Sequence, residues 1–172
     1  MHRRRHGHRD GRPGLIDANT KFTKGTKDTK EIFQGRQLSL PATVEAAIVA
    51  QAVGAAPQEC CGLLIGSAGE VVEAWPASNA ADDPQRRYLV DPQDHLRALR
   101  SARARGLDVI GAYHSHPRST AEPSPTDASA AFGDFFWVIV GLGGPATCVT
   151  AWWWDDGNFV PVTLVRSPEG KA

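Results

Sequence analysis

Two histidines and an aspartate in one short part of the sequence are suited to binding a metal ion. His114 and His116 are separated by one residue, and Asp127 follows eleven positions after His116. The histidines come directly after Leu107 to Tyr113, a mostly apolar run that is typical of a strand. Because residues two apart on an extended chain point to the same side, both imidazoles can face one ion. The loop that follows can then return the carboxylate of Asp127 as a third ligand.

Three protein ligands of these types predict a catalytic zinc site. They leave the fourth tetrahedral position open to water, and zinc lowers the pKa of that water to about 7. A base is still needed to accept the proton of the water. Glu59 precedes the apolar run Cys60 to Ile65, and a carboxylate at the edge of a buried strand has a raised pKa that suits this role.

Ser124 is open to two interpretations. As a hydroxyl near the metal, it could donate a hydrogen bond to the oxyanion of a tetrahedral intermediate. As the first residue of Ser124-Pro125-Thr126-Asp127, it also has the sequence of a helix N-cap, with proline at the first helical position and an acid three residues after the cap. The residue types do not separate these roles.

The distribution of charge restricts the classes of partner. The 172-residue chain has equal numbers of acidic and basic residues, but residues 1–37 hold ten Lys or Arg against four Asp or Glu. The rest of the chain is therefore mildly acidic, which argues against a protein that binds duplex nucleic acid through a basic face. RNA binding through residues 1–37 remains an alternative, and it predicts salt-sensitive binding that is lost when this tail is deleted.

The sequence also indicates a cellular compartment. No segment is apolar over the roughly 20 residues that span a bilayer, and no apolar run of signal-peptide length follows the basic first residues. Cys60, Cys61 and Cys148 form neither an even set nor a Cys-x-x-Cys pair, so free thiols in a reducing compartment are expected. We therefore expect a cytoplasmic protein with no membrane partner and no nucleic-acid partner.

Hydrophobic patterns predict one α/β domain over residues 38–166, between an N-terminal tail (1–37) and a short C-terminal tail (167–172). The N-terminal tail lacks hydrophobic periodicity and is expected to be disordered. A first helix is predicted from Pro41 to Pro57 and a second from Asp91 to Gly106. The predicted inner faces are Val44, Ala47, Ile48, Ala52 and Ala55 in the first helix and Leu96, Leu99 and Ala102 in the second.

The remaining periodic segments are predicted to be strands of a mixed β-sheet flanked by these helices. A short helix is expected from Ser124, and Asp155 to Asn158 is expected to form a hairpin turn. The predicted strands are Cys60–Gly66, Glu70–Trp75, Tyr88–Val90, Leu107–Tyr113, Phe136–Leu142, Thr147–Trp154 and Phe159–Val165.

The candidate metal ligands, the candidate base and Ser124 together form a pattern that resembles a known motif. The pattern consists of Glu59 before a buried strand, His114-Ser115-His116-Pro117, and then Ser124 and Asp127. It resembles the motif of the JAMM (MPN-plus) zinc metallopeptidases, and most closely their short bacterial Mec-type branch, over residues 38–165. The resemblance implies a JAMM/MPN-type, cytidine-deaminase-like fold.

This resemblance also implies a role for each motif residue. Zinc is expected on His114, His116 and Asp127. Glu59 is expected to act as general base and then as proton donor to the leaving amine, with Ser124 as oxyanion stabiliser. The implied activity is hydrolysis of a peptide or isopeptide bond at the C-terminal tail of a small ubiquitin-like or sulfur-carrier protein, for example to release cysteine from a carrier conjugate.

Other interpretations of these residues are less consistent with the sequence. The chain lacks a His-Glu-x-x-His helix and the Pro-Cys-x-x-Cys segment of zinc deaminases. A cupin or oxygenase iron site needs a later third histidine, and no histidine follows His116. The alternative from a different functional class is a non-catalytic MPN-type scaffold, which keeps the fold without the metal.

Overall fold

The structure is a computed structural model that describes residues 36–167. Residues 1–35 of the predicted disordered tail and residues 168–172 of the predicted C-terminal tail lie outside this range. The described strands are β1 (Gln37–Pro41), β2 (Cys61–Ser67), β3 (Glu70–Ala77), β4 (Asp108–His116), β5 (Phe136–Gly141), β6 (Cys148–Asp155) and β7 (Asn158–Ser167). The described helices are α1 (Ala42–Ala55), α2 (Pro92–Ala104) and α3 (Pro125–Ala130).

All of these strands belong to one mixed sheet, which closes into a barrel in the order β1-β3-β2-β4-β5-β6-β7. Strand β4 is antiparallel to β2 and parallel to β5. The closing pair, β1 with β7, is also parallel. The α/β prediction with a mixed sheet is confirmed.

The parallel pairing of β4 and β5 places the short helix α3 beside the end of β4. Parallel neighbours need a crossover connection, because the chain must return to the other end of the sheet. Here the connection is residues 117–135, and it contains α3. The carboxyl end of β4, which carries the two histidines, is therefore followed by the segment that carries Asp127.

Strand β2 is buried on both faces and separates two apolar clusters. Leu64 packs with α1 residues Ile48 and Ala52 in one cluster, whereas Leu63 and Ile65 pack in the other. The second cluster contains small residues of α2. A strand that is covered on both sides needs a continuous apolar run rather than alternation, which explains why Cys61 to Gly66 has no polar side chain.

The predicted inner faces of both longer helices were partly wrong. In α1, Ile48 and Ala52 are buried, but Ala47 is exposed. In α2, Leu96 is 53% exposed, and the buried face is instead Asp94, Ala98 and Ala102. Small residues four positions apart let α2 approach the sheet closely, and the hydrogen bonds of Asp94 to its neighbours make burial of a carboxylate acceptable.

Three strand predictions differ from the structure. Residues 88–90 form one isolated bridge, between Val90 and Asn79, rather than a strand. Strand β1 was not predicted, since its five residues are stabilised mainly by pairing with the distant β7. Strand β4 does not stop at Tyr113 but continues through His116. Its last residues look like a polar loop, yet they pair with β5 and are buried.

The predicted hairpin turn between β6 and β7 is confirmed. Its two central residues, Asp156 and Gly157, have φ angles of 43° and 92°. Two positive φ angles are the signature of the tight turn that suits the twist of antiparallel strands. Among residues 36–167, no helix is long and apolar enough to cross a membrane.

Candidate metal centre

The end of β4 and the start of α3 bring His114, His116 and Asp127 together. The Nε2 atom of His114 lies 3.1 Å from Asp127 Oδ1, and the Nε2 atom of His116 lies 3.3 Å from Asp127 Oδ2. The two Nε2 atoms are 3.1 Å apart. All three side chains are buried, and their potential ligand atoms lie within 4.8 Å of one another. This convergence of two nitrogens and a carboxylate could hold a metal ion.

The contacts of His116 leave its Nε2 atom suited to metal binding. Its Nδ1 atom lies 2.9 Å from the carbonyl oxygen of Thr120. A carbonyl only accepts, so Nδ1 carries a proton, and Nε2, which faces Asp127 and His114, is the ring nitrogen left to bind a metal ion. A hydrogen bond from the ring nitrogen that does not bind the metal orients the histidine ligands of metal sites in this way. Thr120 was not predicted to contribute, because nothing in its residue type indicates a backbone contact.

On the side of its ring away from the cluster, His114 is held by stacking rather than by a hydrogen bond. Its ring lies 4.3 Å from the ring of Tyr88, with 21° between the ring planes. Its Nδ1 atom is buried and has no hydrogen-bond partner among the described residues. The Nε2 atom therefore makes all of the polar contacts of this fully buried side chain, and they point into the cluster.

In the metal-free chain, the three clustered groups have opposed pKa shifts. Burial lowers the pKa of His114, although Asp127 opposes this. Burial also acts to lower the pKa of His116, but Asp127 and the Thr120 carbonyl outweigh it and the pKa is raised. Burial acts to raise the pKa of Asp127, but hydrogen bonds from both histidines hold it well below its usual range. Asp127 is therefore ionised, as a metal ligand must be.

Asp127 is oriented by a capping box at the start of α3. The backbone N–H of Ser124 donates to Asp127 Oδ2 at 2.6 Å, and the Asp127 N–H donates to the Ser124 hydroxyl at 3.2 Å. The predicted N-cap role of Ser124 is therefore confirmed. In this cap the hydroxyl oxygen is an acceptor, so its own hydrogen stays available for donation to a substrate. The two interpretations of Ser124 are compatible.

Glu59 is buried beside the same cluster. Its side chain is 7% exposed, and it lies in the residues that lead into β2. Burial raises its pKa to about 7, a positive charge on His116 acts to lower it, and the charge of Asp127 acts to raise it. A carboxylate with this pKa can both accept and release a proton at neutral pH.

Ser115 was not predicted to contribute to the site, but it links the candidate ligands to the residues next to Glu59. It is fully buried, and its hydroxyl accepts a hydrogen bond of 2.8 Å from the backbone N–H of Cys60. The Ser115 N–H donates to the Cys60 carbonyl at 3.1 Å. The sequence did contain one indication of this role. Ser115 lies between two candidate ligands on a strand, and side chains on a strand alternate between its two faces, so the Ser115 hydroxyl points away from the ligands.

A family profile described as prokaryotic homologs of the JAB domain matches residues 41–155, which include every predicted site residue. The chain belongs to this family. The resemblance to JAMM peptidases is thereby confirmed, and the matched range contains the whole cluster of His114, His116 and Asp127.

Curated relatives and solved structures agree with the assignment to the JAB family. A desampylase of Haloferax volcanii is 35% identical over 72% of this chain and 91% of its own length. A Thermus thermophilus protein named "Probable TtuB-protein conjugate cleaving protease" is 36% identical over 64% of this chain and 71% of its own length. A solution structure from Desulfitobacterium hafniense matches 77% of this chain and 94% of its own, with a TM-score of 0.70 and 26% identity.

Proposed function

We propose that this JAB-domain protein is a zinc-dependent metallopeptidase that hydrolyses a peptide or isopeptide bond at the C-terminal tail of a small ubiquitin-like or sulfur-carrier protein. The observation that carries the proposal is the buried convergence of His114, His116 and Asp127, with the buried Glu59 close enough to interact electrostatically with His116 and Asp127. Three ionisable groups are costly to bury, and a metal ion compensates for that cost by taking all three as ligands. We assign this activity to residues 38–166.

The donor set fits zinc. Two imidazole nitrogens and one carboxylate oxygen are ligands that zinc accepts, and three protein ligands are the number found in catalytic zinc sites. The Thr120 carbonyl binds Nδ1 of His116, which leaves Nε2 as the ring nitrogen that a metal ion would take. Zinc in such a site supplies Lewis acidity, which lowers the pKa of a water molecule to about 7.

The side chains around this centre can perform the remaining steps. Glu59 accepts the proton of the attacking water and then delivers it to the leaving amine, a double task that its raised pKa permits. The hydroxyl hydrogen of Ser124 is directed to the oxyanion that develops on the substrate carbonyl. Asp127, fixed by the capping box, keeps α3 and therefore Ser124 in register with the histidines.

The substrate class is proposed from the relatives. One is named as a desampylase and another as a protease that cleaves conjugates of TtuB with proteins. A conjugate with a small carrier protein is the substrate type consistent with both names, and release of cysteine from a sulfur-carrier conjugate fits the same chemistry. We also propose a cytoplasmic location, since Cys60, Cys61 and Cys148 are free thiols.

The first test is the metal content of the purified protein, determined by elemental mass spectrometry. We expect one zinc per chain in the wild type, loss of the zinc in His116→Ala, and retention in His95→Ala, a histidine on α2 outside the cluster. Cleavage of a Gly-Gly-tailed carrier conjugate is then expected in the wild type and reduced about 100- to 10,000-fold, to a measurable residual rate, in Glu59→Gln. Absence of stoichiometric metal after zinc is supplied would overturn the peptidase proposal and favour the scaffold alternative.

A further inference from the structure

The side chain of Asn79 is fully hydrogen-bonded, and one of its partners is the candidate base. Its Nδ2 atom donates to the carbonyl oxygens of Glu59 at 3.0 Å and Arg87 at 3.1 Å. Its Oδ1 atom accepts from the N–H groups of Ala81 at 3.0 Å and Leu89 at 3.1 Å. A carboxamide has two donor hydrogens and two acceptor lone pairs, so every one of them is used.

Both backbone polar groups of Glu59 are bound by residues between β3 and α2, which we name the 78–90 segment. The Glu59 N–H donates to the carbonyl of Pro84 at 2.7 Å, and the Glu59 carbonyl accepts from Asn79. Glu59 precedes β2, so ladder hydrogen bonds do not fix it. The position of its carboxylate therefore depends on this segment.

The 78–90 segment is itself anchored to the first turn of α2. The Ser78 N–H donates to the buried carboxylate of Asp94 at 2.8 Å, and the Asp91 N–H donates to the Ser78 carbonyl at 3.1 Å. Asn79 directly follows Ser78. The hydrogen bonds that attach Ser78 to α2 therefore also restrict Asn79, which in turn binds the Glu59 carbonyl. The segment also carries Tyr88, whose ring stacks on His114. It thus contacts the candidate base and a candidate ligand.

We propose that Asn79 is a positioning residue that sets the place of the Glu59 carboxylate relative to the metal centre. This inference rests on the proposed function. A general base must lie within hydrogen-bond distance of the proton that it accepts, and a misplacement of about 1 Å can cost about 100-fold in rate. The four hydrogen bonds of the Asn79 side chain reach Glu59 but none of the candidate metal ligands, so its contribution passes through Glu59.

The test compares Asn79→Ala and Asn79→Asp with a matched control in the zinc-loaded, full-length protein. Asn79→Asp retains the shape and the two acceptor bonds but removes both donors. We expect kcat to fall about 10- to 100-fold in both variants, with KM changed less than about twofold and one zinc per chain retained. Arg86→Ala is the control, because it removes only an exposed ion pair with Asp83 in the same segment. Its kcat is expected to equal that of the wild type.

A double-mutant cycle separates positioning from a general structural role. If Asn79 acts through Glu59, Asn79→Ala causes no further loss of kcat in the Glu59→Gln background. An equal loss in both backgrounds would overturn the inference. So would an unchanged kcat in both single variants of Asn79.

Hydrogen exchange gives a readout that is independent of activity. The Glu59 amide, bonded to Pro84, is expected to exchange faster in Asn79→Ala than in the wild type or in Arg86→Ala. Unchanged exchange would overturn the inference even if kcat fell. Different results would overturn the proposed function itself. These are a wild type that cleaves no conjugate, or a Glu59→Gln variant that retains full activity.

Discussion

The hydroxyl of Ser115 accepts a hydrogen bond of 2.8 Å from the backbone N–H of Cys60, 55 residues earlier in the chain. Ser115 stands between the two candidate histidine ligands, and Cys60 follows the candidate base. One buried side chain therefore couples the strand that carries the ligands to the backbone that carries Glu59. This coupling fixes the two halves of the candidate active site relative to each other.

Removing the Ser115 hydroxyl is expected to reduce stability and activity together. Ser115→Ala leaves the buried Cys60 N–H without its acceptor, which costs about 1–3 kcal/mol of unfolding free energy. It also loosens the residue next to Glu59, so kcat is expected to fall about tenfold or more. Urea unfolding and steady-state kinetics measure the two effects. Ser115→Thr retains the hydroxyl and is expected to lie closer to the wild type, whereas an Ala variant as stable as the wild type would contradict the coupling.

The raised pKa of Glu59 predicts a specific dependence of stability on pH in the metal-free protein. A carboxyl group whose pKa rises from 4.5 to about 7 on folding binds its proton more tightly in the folded state. Its contribution is therefore fully favourable below pH 4.5 and is lost as the pH rises through about 7. Relative to Glu59→Gln, the wild type is expected to lose on the order of 2 kcal/mol of unfolding free energy between pH 4.5 and pH 8.

Urea unfolding of both proteins in the presence of a chelator checks this dependence. The other titratable groups are common to the two proteins, so the difference in unfolding free energy reports the titration of Glu59 together with its electrostatic coupling to His116 and Asp127. A difference that stays constant between pH 4.5 and pH 8 would mean that burial does not shift the pKa of this side chain.

Substitutions of Ser124 are expected to separate its two roles. Glycine is a tolerated N-cap, so Ser124→Gly is expected to cost only a few tenths of a kcal/mol, whereas Ser124→Ala costs about 1 kcal/mol. Both variants remove the hydroxyl, so kcat is expected to fall about 100- to 1000-fold in each if Ser124 stabilises the oxyanion. Thermal unfolding and kinetics on the same preparations provide the comparison. A glycine variant with wild-type kcat would restrict Ser124 to its capping role.

The stacking of Tyr88 on His114 is expected to contribute to metal affinity. Tyr88→Leu removes the aromatic face against which His114 is oriented, and we expect zinc affinity to fall about tenfold. Tyr88→Phe preserves the ring and is the matched control. Competition with a chromophoric zinc chelator measures both affinities. Equal zinc affinities for the leucine and phenylalanine variants would show that the stack does not orient the ligand.

Much of the candidate site could be predicted from the sequence because its signals are local. The types and spacing of His114, His116 and Asp127 indicated a metal centre, and these side chains do converge. The capping box of Ser124 depends on residues three apart, and it forms as predicted. The same holds for the hairpin turn at Asp156 and Gly157, whose backbone conformation is a local preference.

Predictions were wrong where burial overrides local character. Residues 114–116 look like a polar loop, but they end β4 because β5 pairs with them and the fold buries them. Leu96 looks like a core residue of α2, yet Asp94 and Ala98 face the protein, since small residues allow close packing and Asp94 binds Ser78. In both cases tertiary packing decides whether the side chains are buried, and the intrinsic propensity of the residues does not.

The sequence by itself determined the chemistry that is available: two imidazoles, two carboxylates and a hydroxyl in an order that matches one peptidase family. The tertiary structure alone decided how these groups are held. The contacts of Asn79 with Glu59, of Ser115 with Cys60 and of Tyr88 with His114 join residues 20 to 55 positions apart. Residue type and spacing express preferences over a few neighbours, whereas such contacts exist only after the sheet has closed and brought distant segments together.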